Sequence, residues 1–209
     1  MYLSRDKLNF SEEKMTAKGE IERKQLIKES ARKLFNRFGY QKTSLDDIAR
    51  QCGLAKPTLY YYYPNKEAVF DEIVLEDARQ ILQNVEAAID PHLPADQKFV
   101  TFAKSIYENL KTHAGQIQKV PDNFIEYSPH GRPIVEKIRE LFKAKLRLIL
   151  QEGLEQGLFD IDDVELTLLA LMAMAEFVRI RWLLQHPESE CDTIVDEMNR
   201  IILSGLIKR

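Results

Sequence analysis

The sequence predicts an all-α protein, and three observations predict it. Apolar residues recur at steps of three and four along most of the chain, the spacing of one helix face. No stretch of useful length alternates with period two, so no sheet is expected. Most of the 8 Gly and 8 Pro fall between the periodic segments, where they act as breaks.

The elements follow in order. Residues 1–18 lack a convincing apolar stripe and are expected to form either a mobile arm or an extension of the first helix. From Glu20 to Phe38, Ile27, Ala31, Leu34, Phe35 and Phe38 draw one stripe, and Gly39 stands where a left-handed cap ends the helix. Ser44, with Asp47 three residues on, has the shape of a capping box for a short helix that stops at Gly53. Pro57 suits the first turn of another short helix, about Lys56 to Tyr62. Asn65 is placed to cap a long helix from Lys66 to about Ala88. Further helices are expected near 95–113, 117–127, 132–156, 162–185 and 188–207, making about nine in all, with Asp162 and Glu165 as an Asp-led capping box.

Composition narrows the function classes. The 209 residues are 44% apolar and 30% charged, which excludes a wholly disordered chain. The longest nearly apolar run, Leu166 to Ala175, is about half of what crosses a bilayer, so no membrane partner is expected. The first residues lack the apolar core of a signal peptide, and two cysteines make no disulfide scaffold, so a cytoplasmic location is expected. The formal charge of −3 hides an asymmetry: residues 1–66 carry a net +6 and the remainder −9. A basic third on an acidic body suggests that one end meets a polyanion.

Residues 44–62, SLDDIARQCGLAKPTLYYY, carry the most information. Two short helices joined by a tight glycine turn make the helix-turn-helix pattern. Ile48, Ala49, Leu54 and Leu59 would pack the first helix on the second, and residues pointing away from that core would enter a major groove. Lys56 can donate to guanine acceptors or phosphate, Thr58 can serve either, and a tyrosine offers a hydroxyl to phosphate and a ring to a thymine methyl. Tyr60, Tyr61, Tyr62 and Tyr63 span most of the helix circumference, so they cannot all be core; Tyr63 is assigned inward with Leu59, and Tyr60 and Tyr62 outward. Thr43 and Ser44 stand at a helix N-terminus, whose free N–H groups attract phosphate, and Lys66 can hold another phosphate.

Residues 21–71 resemble the DNA-binding domain of the TetR family of bacterial transcriptional regulators, through IKESARKLFNRFGYQKTSLDDIARQCGLAKPTLYYYYPNKEAVFDEI. The resemblance implies phosphate contacts at Thr43, Ser44, Tyr62 and Lys66, and groove contacts at Lys56, Pro57, Thr58, Tyr60 and Tyr61. Two positions depart from the family pattern. Ala55 stands where a capping Ser is common, and Asp46 where some members read a base. The resemblance further implies an N-terminal helix-turn-helix domain (19–66) and a larger helical effector-binding and dimerisation domain (67–209).

In that body, Leu166 to Leu184 is apolar on nearly all sides, and Ile194, Met198, Ile201 and Ile202 form a stripe on the final helix. A homodimer through these last two helices is expected; the alternative is an internal core helix of a monomer. Candidate walls of a largely apolar effector pocket are Phe99, Phe102, Tyr107, Phe124, Tyr127, Phe142, Met172 and Trp182, with Glu176 and Arg179 as polar hooks. The four histidines are far apart, and there is no metal-ligand spacing, phosphate loop or catalytic constellation, so neither a metal, a cofactor nor an enzyme activity is expected. The function expected is a ligand-responsive DNA-binding regulator, a repressor on a palindromic operator released by a small-molecule effector. The alternative is a helical sensor or protein-interaction module that has lost DNA binding.

Overall fold

The computed structural model describes residues 5–117, 131–177 and 188–208, with side chains described over 18–112, 133–175 and 190–208. Eight helices follow one another among the described residues: α1 (Arg5–Phe38), α2 (Leu45–Cys52), α3 (Lys56–Tyr62), α4 (Lys66–Ala88), α5 (Ala95–Ile117), α6 (Gly131–Glu155), α7 (Val164–Phe177) and α8 (Glu188–Leu206). There is no strand among them, only a single antiparallel bridge between Phe159 and Ile207. The all-α expectation is met. The helix expected at 117–127 and the second half of that expected at 162–185 lie outside the described residues.

α1 reaches back to Arg5, so residues 5–18 continue the first helix. That stretch holds three Lys and two Glu and has no proline, which favours helix even without an apolar stripe. The chain divides into two compact units, Met1–Val74 and Leu75–Arg209, and α4 begins in the first and ends in the second.

The first unit is built on local signals. Gly39 and Gly53 both adopt positive φ, 84° and 67°, as the turns after α1 and α2 require. Its core joins Ile27, Ala31, Ile48, Leu59 and Val69, all essentially inaccessible, and α1 packs against α2. Phe35, Tyr40 and Phe70 form an aromatic trio with centroids 4.9 to 5.9 Å apart. Such tilted and edge contacts add about 0.5–1.5 kcal/mol per pair beyond burial.

In the second unit, α6 packs against α5 and α7, and α8 packs against α5. The core gathers Val85, Phe99, Phe102, Leu150, Phe159 and Leu168. The Gln156 side chain accepts from the Ala95 amide at 3.0 Å, giving α5 its cap, while Lys98 pairs with Glu152 at 2.6 Å. The cap of α7 is Asp163, whose carboxylate accepts from the Leu166 amide at 3.0 Å. The capping residue expected here was Asp162; two adjacent aspartates leave a register choice that only the fold makes.

α7 buries Leu168 and Leu171 but exposes Leu166 (65%) and Leu169 (57%); on α8, Ile201 is 52% exposed. Over the described residues of α7, the apolarity read from the sequence therefore divides into one face in the core and one bare face. Among the described residues no helix is long and apolar enough to cross a membrane.

Candidate functional site

The helix-turn-helix is assembled by short-range contacts. Ser44 caps α2 in a reciprocal box: its Oγ accepts from the Asp47 amide at 3.1 Å, and its own amide donates to the Asp47 carboxylate at 2.9 Å. These bonds from Ser44 hold the Asp47 carboxyl below the usual aspartate range. Ser44→Ala should cost about 1 kcal/mol, the common loss of a Ser cap, read as a lower urea midpoint. Its sign with pH follows from the lowered pKa: the cap's electrostatic contribution is present above the ordinary aspartate value and is lost as pH falls through the depressed one.

Gly53, in the left-handed region, donates its N–H to the Ala49 and Arg50 carbonyls and turns the chain toward α3. α3 starts at Ala55 without a side-chain cap, with proline in its first turn. Leu59 and Tyr63 are buried, as their four-residue spacing predicts, and anchor the helix inward. The opposite face is open. Tyr60 is 50% and Tyr61 75% exposed, Lys56 and Pro57 are exposed, and Thr58 and Tyr62 are half-buried. Tyr61 and Tyr62 meet edge to face at 5.1 Å. Thus α3 brings Lys56, Pro57, Thr58, Tyr60, Tyr61 and Tyr62 onto one short helix, with Tyr61 rather than Tyr62 the most outward.

Two of the expected phosphate contacts are placed differently. Thr43 is buried, and its hydroxyl donates to the Gly39 carbonyl at 2.9 Å, so it is not at the surface. Lys66 turns inward. Its ammonium donates to the Tyr40 and Thr43 carbonyls, both at 2.8 Å, and lies 4.1 Å from the Tyr40 ring centroid. Burial pushes the Lys66 pKa down. Both side chains hold the loop that delivers Ser44, because three carbonyl groups around that tight connection need donors. Nearby, the Tyr40 hydroxyl donates to Glu67 at 3.0 Å, and its pKa is raised, first by burial and then by that carboxylate.

One residue and one pairing here escaped sequence reasoning. Arg23, on α1, donates to the Tyr62 hydroxyl at 3.4 Å and adds a cation beside α3. Asp46 receives the Lys56 ammonium on Oδ2.

The second unit holds a cavity of about 410 Å³, within the range of small-molecule sites. Phe99, Phe102, Tyr107, Phe142 and Met172 of the expected walls line it. Phe124, Tyr127, Arg179, Trp182 and the Glu176 side chain lie outside the described residues. The lining also includes Arg139 and Asn199, which the sequence did not single out. Asn199 is 5% exposed, and its amide nitrogen has no hydrogen-bond partner among the described residues. Beside the cavity, Lys111 lies 4.8 Å from the Tyr107 ring and 3.2 Å from Asp192. Burial, then Asp192, raises the Tyr107 pKa. Among the described residues no His, Cys, Asp and Glu cluster could hold a metal ion.

Comparison with known proteins gives the family and the fold. Residues 27–73 match the family described as bacterial regulatory proteins, tetR family, and residues 92–206 match the tetracyclin repressor-like C-terminal domain. The uncharacterized HTH-type transcriptional regulator YhgD of Bacillus subtilis is 28% identical over 89% of this chain and 97% of its own. The HTH-type transcriptional repressor KstR2 of Rhodococcus jostii is 23% identical over 90% of this chain and 93% of its own. Among solved structures, the TetR family transcriptional regulator PfmR of Thermus thermophilus is similar with a TM-score of 0.55 and 30% identity, over 87% of this chain and 99% of that one.

Proposed function

The chain belongs to the TetR family of bacterial regulatory proteins and is a helix-turn-helix transcriptional regulator; from that premise we propose that it is a cytoplasmic repressor that binds a palindromic operator as a homodimer and is released by a largely apolar effector. The observation that carries the reading is the open face of α3, with Lys56, Tyr60 and Tyr61 outward while Leu59 and Tyr63 are locked inward. A helix so anchored presents donors and ring edges to a groove without rearrangement.

Residues 19–66 serve as the DNA-binding part and 67–209 as the effector-binding and dimerisation part. Ser44, Lys56, Pro57, Thr58, Tyr60, Tyr61 and Tyr62 make the contacts, while Thr43 and Lys66 position the loop behind them. The dimer forms through α7 and α8, supported by the bare Leu166, Leu169 and Ile201, since apolar surface of this kind on a soluble chain marks an association site. Two heads would then meet half-sites roughly 34–36 Å apart. The effector occupies the cavity lined by Phe99, Phe102 and Phe142, where the Asn199 amide offers a donor to one polar group of an otherwise apolar molecule. Release follows if the effector binds better to a form whose heads are wrongly spaced, because a ligand shifts an equilibrium only by its differential affinity.

The test is fluorescence anisotropy with random duplex at low salt and with sites selected from a randomised pool. Binding is expected to fall steeply between about 50 and 200 mM salt. Lys56→Ala should weaken selected-site binding about tenfold, within the ~1–3 kcal/mol of one lost base contact, and relax the preference at one position. Absence of binding to any duplex would leave the interaction-module alternative in its place.

A further inference from the structure

The ion pair that joins the two helices of the motif sits at the edge of the open face. Asp46 lies in the first turn of α2, and Lys56 opens α3 across the turn. The lysine ammonium rests on Asp46 Oδ2, while Oδ1 is buried with no hydrogen-bond partner among the described residues. The lysine is well exposed and the aspartate about one-third exposed, so the pair is reachable from outside while its acid end is seated in the protein.

Two consequences follow from this arrangement. A paired lysine is not a loose cation. To bind a phosphate it must leave Asp46, and it then leaves behind a carboxylate with no donor on either oxygen, facing a polyanion. Phosphate brings no donor to replace the lysine, so that exchange is unfavourable. A base edge can replace it. Across the major groove a G·C pair presents guanine N7 and O6 as adjacent acceptors and then the cytosine amino group as a donor. Adjacent lysine and aspartate groups match that order, the ammonium on the two acceptors and the carboxylate on the amine. An A·T pair places its amino group between two acceptors and does not match.

We propose that Asp46 is a specificity-determining residue: together with Lys56 it reads one G·C pair in each half-site, and at other sequences it withholds Lys56 from the phosphate backbone. This rests on the DNA-binding reading above.

The experiment compares the full-length wild type with Asp46→Ala and Asp46→Asn, the second keeping the shape of the side chain while removing its charge. Each is used to select sites from a randomised duplex pool, and each is titrated with random duplex at several salt concentrations. Wild-type sites are expected to share a G·C pair at one fixed position per half-site. Both variants should lose that enrichment and bind random duplex several-fold more tightly at low salt. Their log–log salt slopes should steepen by about 0.9 per protomer, the mark of one more phosphate neutralised. Variants that keep the wild-type preference and slope would overturn the assignment and leave DNA binding intact, as would wild-type sites without the G·C position. A wild type that binds no duplex would overturn both.

Discussion

Gly153→Ala is expected to destabilise the protein by about 1–3 kcal/mol or more, the range for overpacking a close-packed interior. In an open helix the same change would stabilise by about 1 kcal/mol, because alanine is the better helix former. Here the added Cβ would lie 2.0, 2.3 and 2.7 Å from Phe159 Cδ2, Cε2 and Cγ, far inside van der Waals contact. The ring has no retreat. Phe159 is buried in the main core of the second unit, its amide donates to the Gly153 carbonyl at 3.1 Å, and its backbone bridges to Ile207. A urea titration should show a lower midpoint at unchanged slope. Adding Phe159→Leu should recover part of the loss, a coupling that independent sites would not show. A neutral or stabilising Gly153→Ala would mean that the α6 end and the Phe159 turn are not packed as described.

The second large effect concerns assembly. Leu166→Arg combined with Leu169→Arg should give a folded monomer with at least a hundredfold weaker operator binding. In a single chain both leucines face water, so the charges cost little there. In a two-fold interface the same surface meets its own copy, and four guanidinium groups would be buried without partners. Monomers lose the effective concentration that joins two half-site contacts, a gain of about 10²–10⁴ when geometry permits both. Sedimentation velocity reads the mass and anisotropy the affinity, while an unchanged thermal midpoint for the isolated fold excludes unfolding as the cause. A variant that stays dimeric places the interface elsewhere.

What the sequence made legible was local. The Ser44–Asp47 box, the Gly53 turn, the Asn65 cap and the inward Leu59 and Tyr63 all depend on residues within four positions of each other, and each is found as read. What it left hidden was distant in sequence. Lys66 reads as a phosphate contact until its ammonium is seen on carbonyls 23 and 26 residues earlier. The Asp46–Lys56 pair spans a turn whose geometry no spacing rule reports. Arg139 and Asn199 come from separate helices, and a lone polar residue on an amphipathic stripe looks like any surface residue until the neighbouring helices close around it. The bare side of α7 illustrates the same limit, since apolar residues all round a helix do not say which side its own chain covers.

The inward lysine also bears on how binding curves should be interpreted. Ions in solution screen exposed charges over a Debye length of about 10 Å at 0.1 M, but they reach a half-buried ammonium held by backbone carbonyls far less. Raising ionic strength should therefore strip the protein from its duplex while the clasp behind the reading head stays shut. Dissociation and denaturation would then separate cleanly along the same titration axis, and the midpoint of the first would report the contacts with the duplex, those to phosphate above all.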